Sequence, residues 1–167
     1  MKKLRRITYF ILASLMILSF SGCEDLFKDD EDEESSLYVK FENDSNSEFT
    51  ITTIQTRERG EVGNTTEPTA TWSENLLKNG ATLAPGASFY FTLKIPSGEW
   101  AEYRLGVNNG QSVQVMLYDQ PGYAGMTDLP ITHWGSDERT VGVSIVYDED
   151  TETIVVNGWS DWAGIED

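Results

Sequence analysis

From Leu37 onward, apolar and polar residues alternate in short runs along the chain. Leu37, Val39 and Phe41 alternate with Tyr38, Lys40 and Glu42. Phe49 and Ile51 open a second run, whose phase slips at Ile54 and so predicts a bulge or bend. Phe89, Phe91, Leu93 and Ile95 form a third, and Ala101, Tyr103, Leu105 and Val107 a fourth. Val113, Val115 and Leu117 follow, then Val141, Val143 and Ile145, then Ile154 to Val156. A period of two places one face of each strand in a core and the other in water, a pattern that antiparallel sheets tolerate. Turn residues separate the runs: Asn43-Asp44, Pro85-Gly86, Ser97-Gly98 and Asn108-Asn109-Gly110, with Asp148–Thr151 as a hairpin loop. Only Ser73 to Lys78 reads as helical, for one or two turns, with Ser73 as cap and Gly80 as stop. The expected fold is all-β: an antiparallel β-sandwich, immunoglobulin-like or related, of about seven to eight strands over residues 37–167.

Within this region three motifs stand in order. They are Phe49-Thr50-Ile51, then Trp72-Ser73-Glu74-Asn75-Leu76-Leu77, then Leu83-Ala84-Pro85-Gly86-Ala87-Ser88. Together they resemble a small exported bacterial β-sandwich module over residues 37–107. The resemblance implies a sandwich and an exported home, and no chemistry. It assigns packing roles, with Trp72, Leu76 and Leu77 plugging one end of the sandwich and Pro85-Gly86 making a tight turn.

The start of the chain has a different character. Lys2, Lys3, Arg5 and Arg6 precede an apolar run from Ile7 to Phe20, and Ser21-Gly22 stands just before Cys23, the single cysteine. The run is short for a spanning helix and is broken by Thr8, Ser14 and Ser19, so residues 1–22 read as a cleaved signal peptide. The small pair before Cys23 resembles the lipobox of bacterial lipoproteins, with Phe20 where that motif usually has leucine. The resemblance implies acylation of Cys23 and a membrane anchor of more than one chain, which holds far more firmly than a single chain. An ordinary secretory signal is the competing reading.

Residues 24–34 read EDLFKDDEDEE, eight carboxylates and one lysine. Such a block is expected to be a solvated tether, and with Cys23 it makes residues 23–36 a linker. Lys28, Asp29 and Asp30 resemble the acidic export tag of Bacteroidetes-type surface lipoproteins. That likeness implies an outer-membrane protein facing outward, with a periplasmic location as the alternative.

After residue 22 the chain keeps 8 Lys and Arg against 28 Asp and Glu, a formal charge of −20. A chain this acidic repels nucleic-acid phosphates and anionic lipid heads, so neither is an expected partner. With Cys23 acylated no disulfide can form within the chain, and a domain of this size can bury enough surface without one.

Candidate chemistry is sparse. His133 is the lone histidine, which excludes a His-rich metal site, and no serine sits in a nucleophile-elbow context. No cofactor is expected. Asp148, Asp150 and Glu152 offer oxygen ligands at alternate positions of a hairpin tip, a weak calcium candidate without the glycine of an EF-hand loop. The stretch Gln120–Arg139 breaks the alternation and carries Tyr123, His133 and Trp134, while Trp159 and Trp162 follow the last run. Rings on such a loop suit a stacking platform for glycan or peptide. The plainer alternative is that they fold back over an open end of the sandwich. The expected role is therefore a non-enzymatic, membrane-anchored binding or accessory module. The alternatives are an assembly subunit docking another envelope protein, perhaps by a sheet edge, and behind that a hydrolase using acidic residues.

Overall fold

The alternating runs become the strands of two facing sheets. The computed structural model describes residues 35–63, 66, 70–108, 114–117 and 129–165. Residues 1–22, expected to be a signal peptide, Cys23, the expected export tag Lys28-Asp29-Asp30 and Tyr123 lie outside the described residues.

Among the described residues eight strands are present: β1 (Ser36–Asn43), β2 (Ile51–Glu61), β3 (Ser88–Lys94), β4 (Glu99–Asn108), β5 (Gln114–Leu117), β6 (Leu129–Thr132), β7 (Glu138–Asp148) and β8 (Thr153–Ala163). Sheet A has the order β3-β1-β7-β8. Sheet B has the order β2-β4-β5, with β6 also paired to β4. The inward residues of both sheets form one core, in which Leu37, Val39, Phe41, Ile51, Ile54, Tyr103, Leu105, Val107, Val141 and Ile145 are fully or almost fully buried. Phe41 of sheet A meets the Tyr103 ring of sheet B edge to face, with centroids 5.2 Å apart. Such a pair adds about 0.5–1.5 kcal/mol beyond its burial.

The β-sandwich expectation holds, with three departures. First, sheet A is mixed: β1 pairs with β3 antiparallel but with β7 parallel, Phe41 lying opposite Val141. Alternation reports which face a residue takes and is silent on strand direction. Second, Leu129–Thr132 is a strand within the stretch expected to be loop. Leu117 opposes Leu105 and Leu129 opposes Tyr103, so β5 and β6 share one edge of β4. In an unbroken strand position 119 would oppose Tyr103, so ten extra residues are inserted between the two halves. Pro130 is compatible with this site because β6 is an edge strand.

Third, Ser73–Lys78 is not helical, and the one helical turn among the described residues is a short 3-10 segment at Lys78–Gly80. The segment before it serves as an irregular edge for β2. The Ser73 N–H donates to the Thr56 carbonyl, and the Leu76 N–H to that of Ile54. Asn75 fills the gap between them: its Nδ2 donates to the Thr52 carbonyl, while its Oδ1 accepts from the Ile54 and Leu77 N–H groups. A helix would have consumed these groups internally, whereas the β2 edge offered partners that otherwise needed satisfying. Leu83 continues the cover by bridging to Ile51.

The phase slip expected near Ile54 is a bulge, with Thr52 as the extra residue between the Ile51 and Thr53 pairs. A second bulge at Arg59 sets both Arg59 and Gly60 against Trp100.

Candidate functional site

Outward positions of sheet A line up in rows across the four strands. One row reads Tyr90, Lys40, Thr140 and Trp162. The next reads Ser88, Glu42, Gly142 and Ser160. On the other side Tyr38 stands between Thr92 and Glu138. Tyr38, Tyr90 and Trp162 are exposed by 45%, 48% and 64%, and the two tyrosine rings stack with centroids 6.1 Å apart. Burial of these rings would recover hydrophobic free energy that their exposure forgoes.

The floor between the rings is low and ordered. Lys40 is half-buried and holds Glu42 Oε1 at 3.0 Å, and Ser88 Oγ donates to the same oxygen at 3.3 Å. The Gly142 N–H donates to Ser160 Oγ at 3.2 Å. A Cβ on Gly142 would stand 2.9 Å from that hydroxyl, so glycine is what lets Ser160 lie flat against the strand. Thr140 Oγ1 donates to the Gly164 carbonyl at 3.0 Å. Chemically this is a sheet face with aromatic platforms at its sides and fixed donors and acceptors between them.

The rings expected to form one platform are divided by the fold. Trp162 is exposed on the sheet A face and Trp134 is exposed by 66% in the turn after β6. Trp159, three positions from Trp162 on the same strand, faces the opposite way and packs partly buried against the core. His133 is fully buried. Its Nδ1 donates to the Ile95 carbonyl at 2.7 Å, and its Nε2 lies 3.0 Å from the Asp137 carboxylate. With its backbone bonded to Glu99 and Gly98, it clamps the β3–β4 turn against β6 and is unavailable to a ligand in solution. Neither His133 nor Trp159 therefore belongs to an exposed platform. Tyr38 and Tyr90 were legible as outward positions, yet nothing in the sequence placed them on the same face as Trp162.

The acidic hairpin tip is organised by itself. Asp148 accepts from the Asp150 N–H at 3.0 Å and from Thr151 Oγ1 at 2.9 Å. The Thr151 hydroxyl, then the Asp150 amide, hold its carboxyl below the usual range. Among the described residues, no group of three or more His, Cys, Asp or Glu side chains is placed to hold a metal ion.

Two polar clusters serve the fold. On the outer face of sheet B, Trp72 lies between the guanidinium groups of Arg57 and Arg104, at 4.7 and 4.5 Å from the ring centroid. It therefore does not plug an end of the sandwich, although Leu77 is buried and Leu76 packs on the core as the resemblance implied. Beside Arg57 on this face, Glu102 is fully buried, paired with Arg57 Nε and with Arg59 Nη1 at 3.1 Å. Where β8 meets β6, Asp161 faces inward with Arg139 Nε at 3.4 Å. Burial pushes the Asp161 carboxyl above the ordinary carboxylate range, against the opposing pull of the Thr132 and Arg139 contacts. Burial, with the Asp161 charge nearby, likewise pushes the Tyr103 hydroxyl well above its usual value.

A cleft of about 200 Å³ opens where the edges of β2 and β3 meet, lined among others by Thr56, Glu58, Ser73, Leu93 and Lys94. No helix among the described residues is long and apolar enough to cross a membrane.

No protein-family model matches the sequence, and no curated protein matches it. Among solved structures, the crystal structure of the cytotoxin protein suilysin from Streptococcus suis aligns with 79% of this chain at 14% identity and a TM-score of 0.31. The match spans 24% of that protein, about a quarter of its length. A likeness this slight carries no argument about fold or function.

Proposed function

We propose that this chain is a non-enzymatic binding module, held to an outer membrane through acylated Cys23, whose outward sheet A face takes a glycan. The single observation that carries the ligand reading is the placement of Tyr90 and Trp162 at the two ends of one row, both exposed, with Lys40 and Thr140 between them. Sugars present apolar C–H faces and a rim of hydroxyls. Exposed rings match the first, and the Lys40–Glu42 pair with Ser88 and Ser160 matches the second. The anchor rests on the basic start, the short apolar run and the small pair before Cys23. The acidic stretch at residues 24–34 would hold the domain off the bilayer as a tether, and its Lys28-Asp29-Asp30 sequence supports an outward-facing destination.

Screening the full chain in detergent against immobilised glycans tests the ligand reading. Retention that is lost in Trp162→Ala, with the far-ultraviolet dichroism unchanged, supports it. Retention by no glycan, or retention indifferent to Trp162, removes it. Mass spectrometry of the native protein tests the anchor, which requires an acylated Cys23 as first residue.

A further inference from the structure

We infer that the ligand of this face is an uncharged polysaccharide whose chain lies across the strands, from Tyr90 to Trp162; the inference rests on the glycan reading above. The direction follows from the register. Tyr90, Lys40, Thr140 and Trp162 occupy four successive strands, so the outer two are separated by three inter-strand steps, about 14 Å in all. One polysaccharide chain laid along the strands is too narrow to touch both rings. A chain laid across them meets Tyr90 at one end and Trp162 at the other, and passes over Lys40 and Thr140.

The flanking row leaves room for it. Gly142 and Ser160 keep the floor low beside Thr140, and the hydroxyl of Ser160 is drawn down by the Gly142 N–H. Lys40 is only 12% exposed in its side chain, so it forms floor, not wall.

The charge pattern selects the ligand class. On the outward face, Lys40 and Lys94 stand against Glu42, Glu138 and, at the hairpin end of β7, Asp148, and Lys40 is paired with Glu42 in the floor. This face is thus close to neutral in a chain that carries −20 after residue 22. A polyanion finds no unmatched cation here and is repelled by the remainder of the molecule. A polycation would adhere to the acidic surface everywhere and would not need the rings. A neutral chain is the class for which rings plus paired polar groups suffice.

Titration calorimetry of the full chain with a size series of neutral oligosaccharides, beside a matched series of uronic-acid oligomers, tests this at low and high salt. The expected result is binding of the neutral series alone, insensitive to salt, with a step in affinity once the oligomer reaches both rings. Tyr90→Ala and Trp162→Ala should each lower affinity for the long oligomers about tenfold and abolish the step. Binding of uronic-acid oligomers that weakens with salt, or a neutral series with no length step, overturns the inference and leaves the glycan reading standing. Binding of neither series overturns both.

Discussion

Asp161 on β8 and Thr132 on β6 join the two sheets where their edges meet: the Asp161 Oδ2 accepts from the Thr132 N–H at 3.1 Å and from its hydroxyl at 2.7 Å. The carboxylate stands where a neighbouring strand's carbonyl would be, so an edge amide of sheet B is satisfied by a side chain of sheet A. Removing the hydroxyl with Thr132→Val keeps the shape and loses one charge-assisted hydrogen bond. Stability should fall by about 1.5–3 kcal/mol, read from the urea midpoint at unchanged slope, and Thr132→Ser should restore most of it.

The same carboxyl sets a pH dependence. Its folded-state pKa lies above the ordinary value, so the folded protein binds this proton more tightly than the unfolded chain. Its contribution to stability is therefore greatest in acid. It declines as pH rises from about 3.9, the unfolded value, through the raised folded value. Asp161→Asn does not titrate, so the stability of the wild type minus that of Asp161→Asn should shrink with rising pH over this window. A difference that grows instead would show that the Thr132 and Arg139 contacts together outweigh burial.

Glu102 answers two guanidinium groups from a position with no solvent contact. Glu102→Gln leaves Arg57 and Arg59 without that counter-charge and should cost about 3–5 kcal/mol in chemical denaturation. Replacing Glu102 and Arg59 together by methionine should cost less than the sum of the two single changes, which a double-mutant cycle measures.

Asn75 supplies three hydrogen bonds to backbone groups at and beside the β2 edge. Asn75→Ala should destabilise the domain by about 3 kcal/mol, taking about 1 kcal/mol for each. Amide exchange should accelerate at Ile54 and Leu77, whose N–H groups lose their acceptor, before it does in β1.

At the hairpin tip, the Thr151 hydroxyl is the first cause of the low Asp148 carboxyl. Carbon-detected NMR titration of Thr151→Ala should show the Asp148 pKa rising toward the ordinary range. An unmoved titration would assign the shift to the Asp150 amide.

Much of the fold was legible in the chain. Leu37, Val39 and Phe41 are all fully buried, and their neighbours Tyr38 and Lys40 face outward, as alternation required. The hairpin at Asp148–Thr151 and the bulge near Ile54 were legible for the same local reason. The Ser73–Lys78 stretch misled because a serine followed by Asn-Leu-Leu reads as a capped turn, while the β2 edge supplies better partners. β6 was hidden because Leu129-Pro130-Ile131-Thr132 is short, contains proline and follows ten inserted residues. Of the rings nominated for a site, Trp134 and Trp162 are exposed, whereas Trp159 and His133 are turned inward by strand parity and by the β3–β4 turn.

The amino-acid sequence by itself determined most of the strands, β6 excepted, and which of their sides meets the core, because a two-residue period is a property of neighbours along the chain. Only the tertiary structure decided who stands beside whom. It set β7 parallel to β1, split one edge strand into β5 and β6, and brought Tyr90 and Trp162 into one row. The reason is range: alternation points a side chain in or out within a few residues. The partner opposite is set by pairings between segments far apart in the chain, which local pattern does not encode.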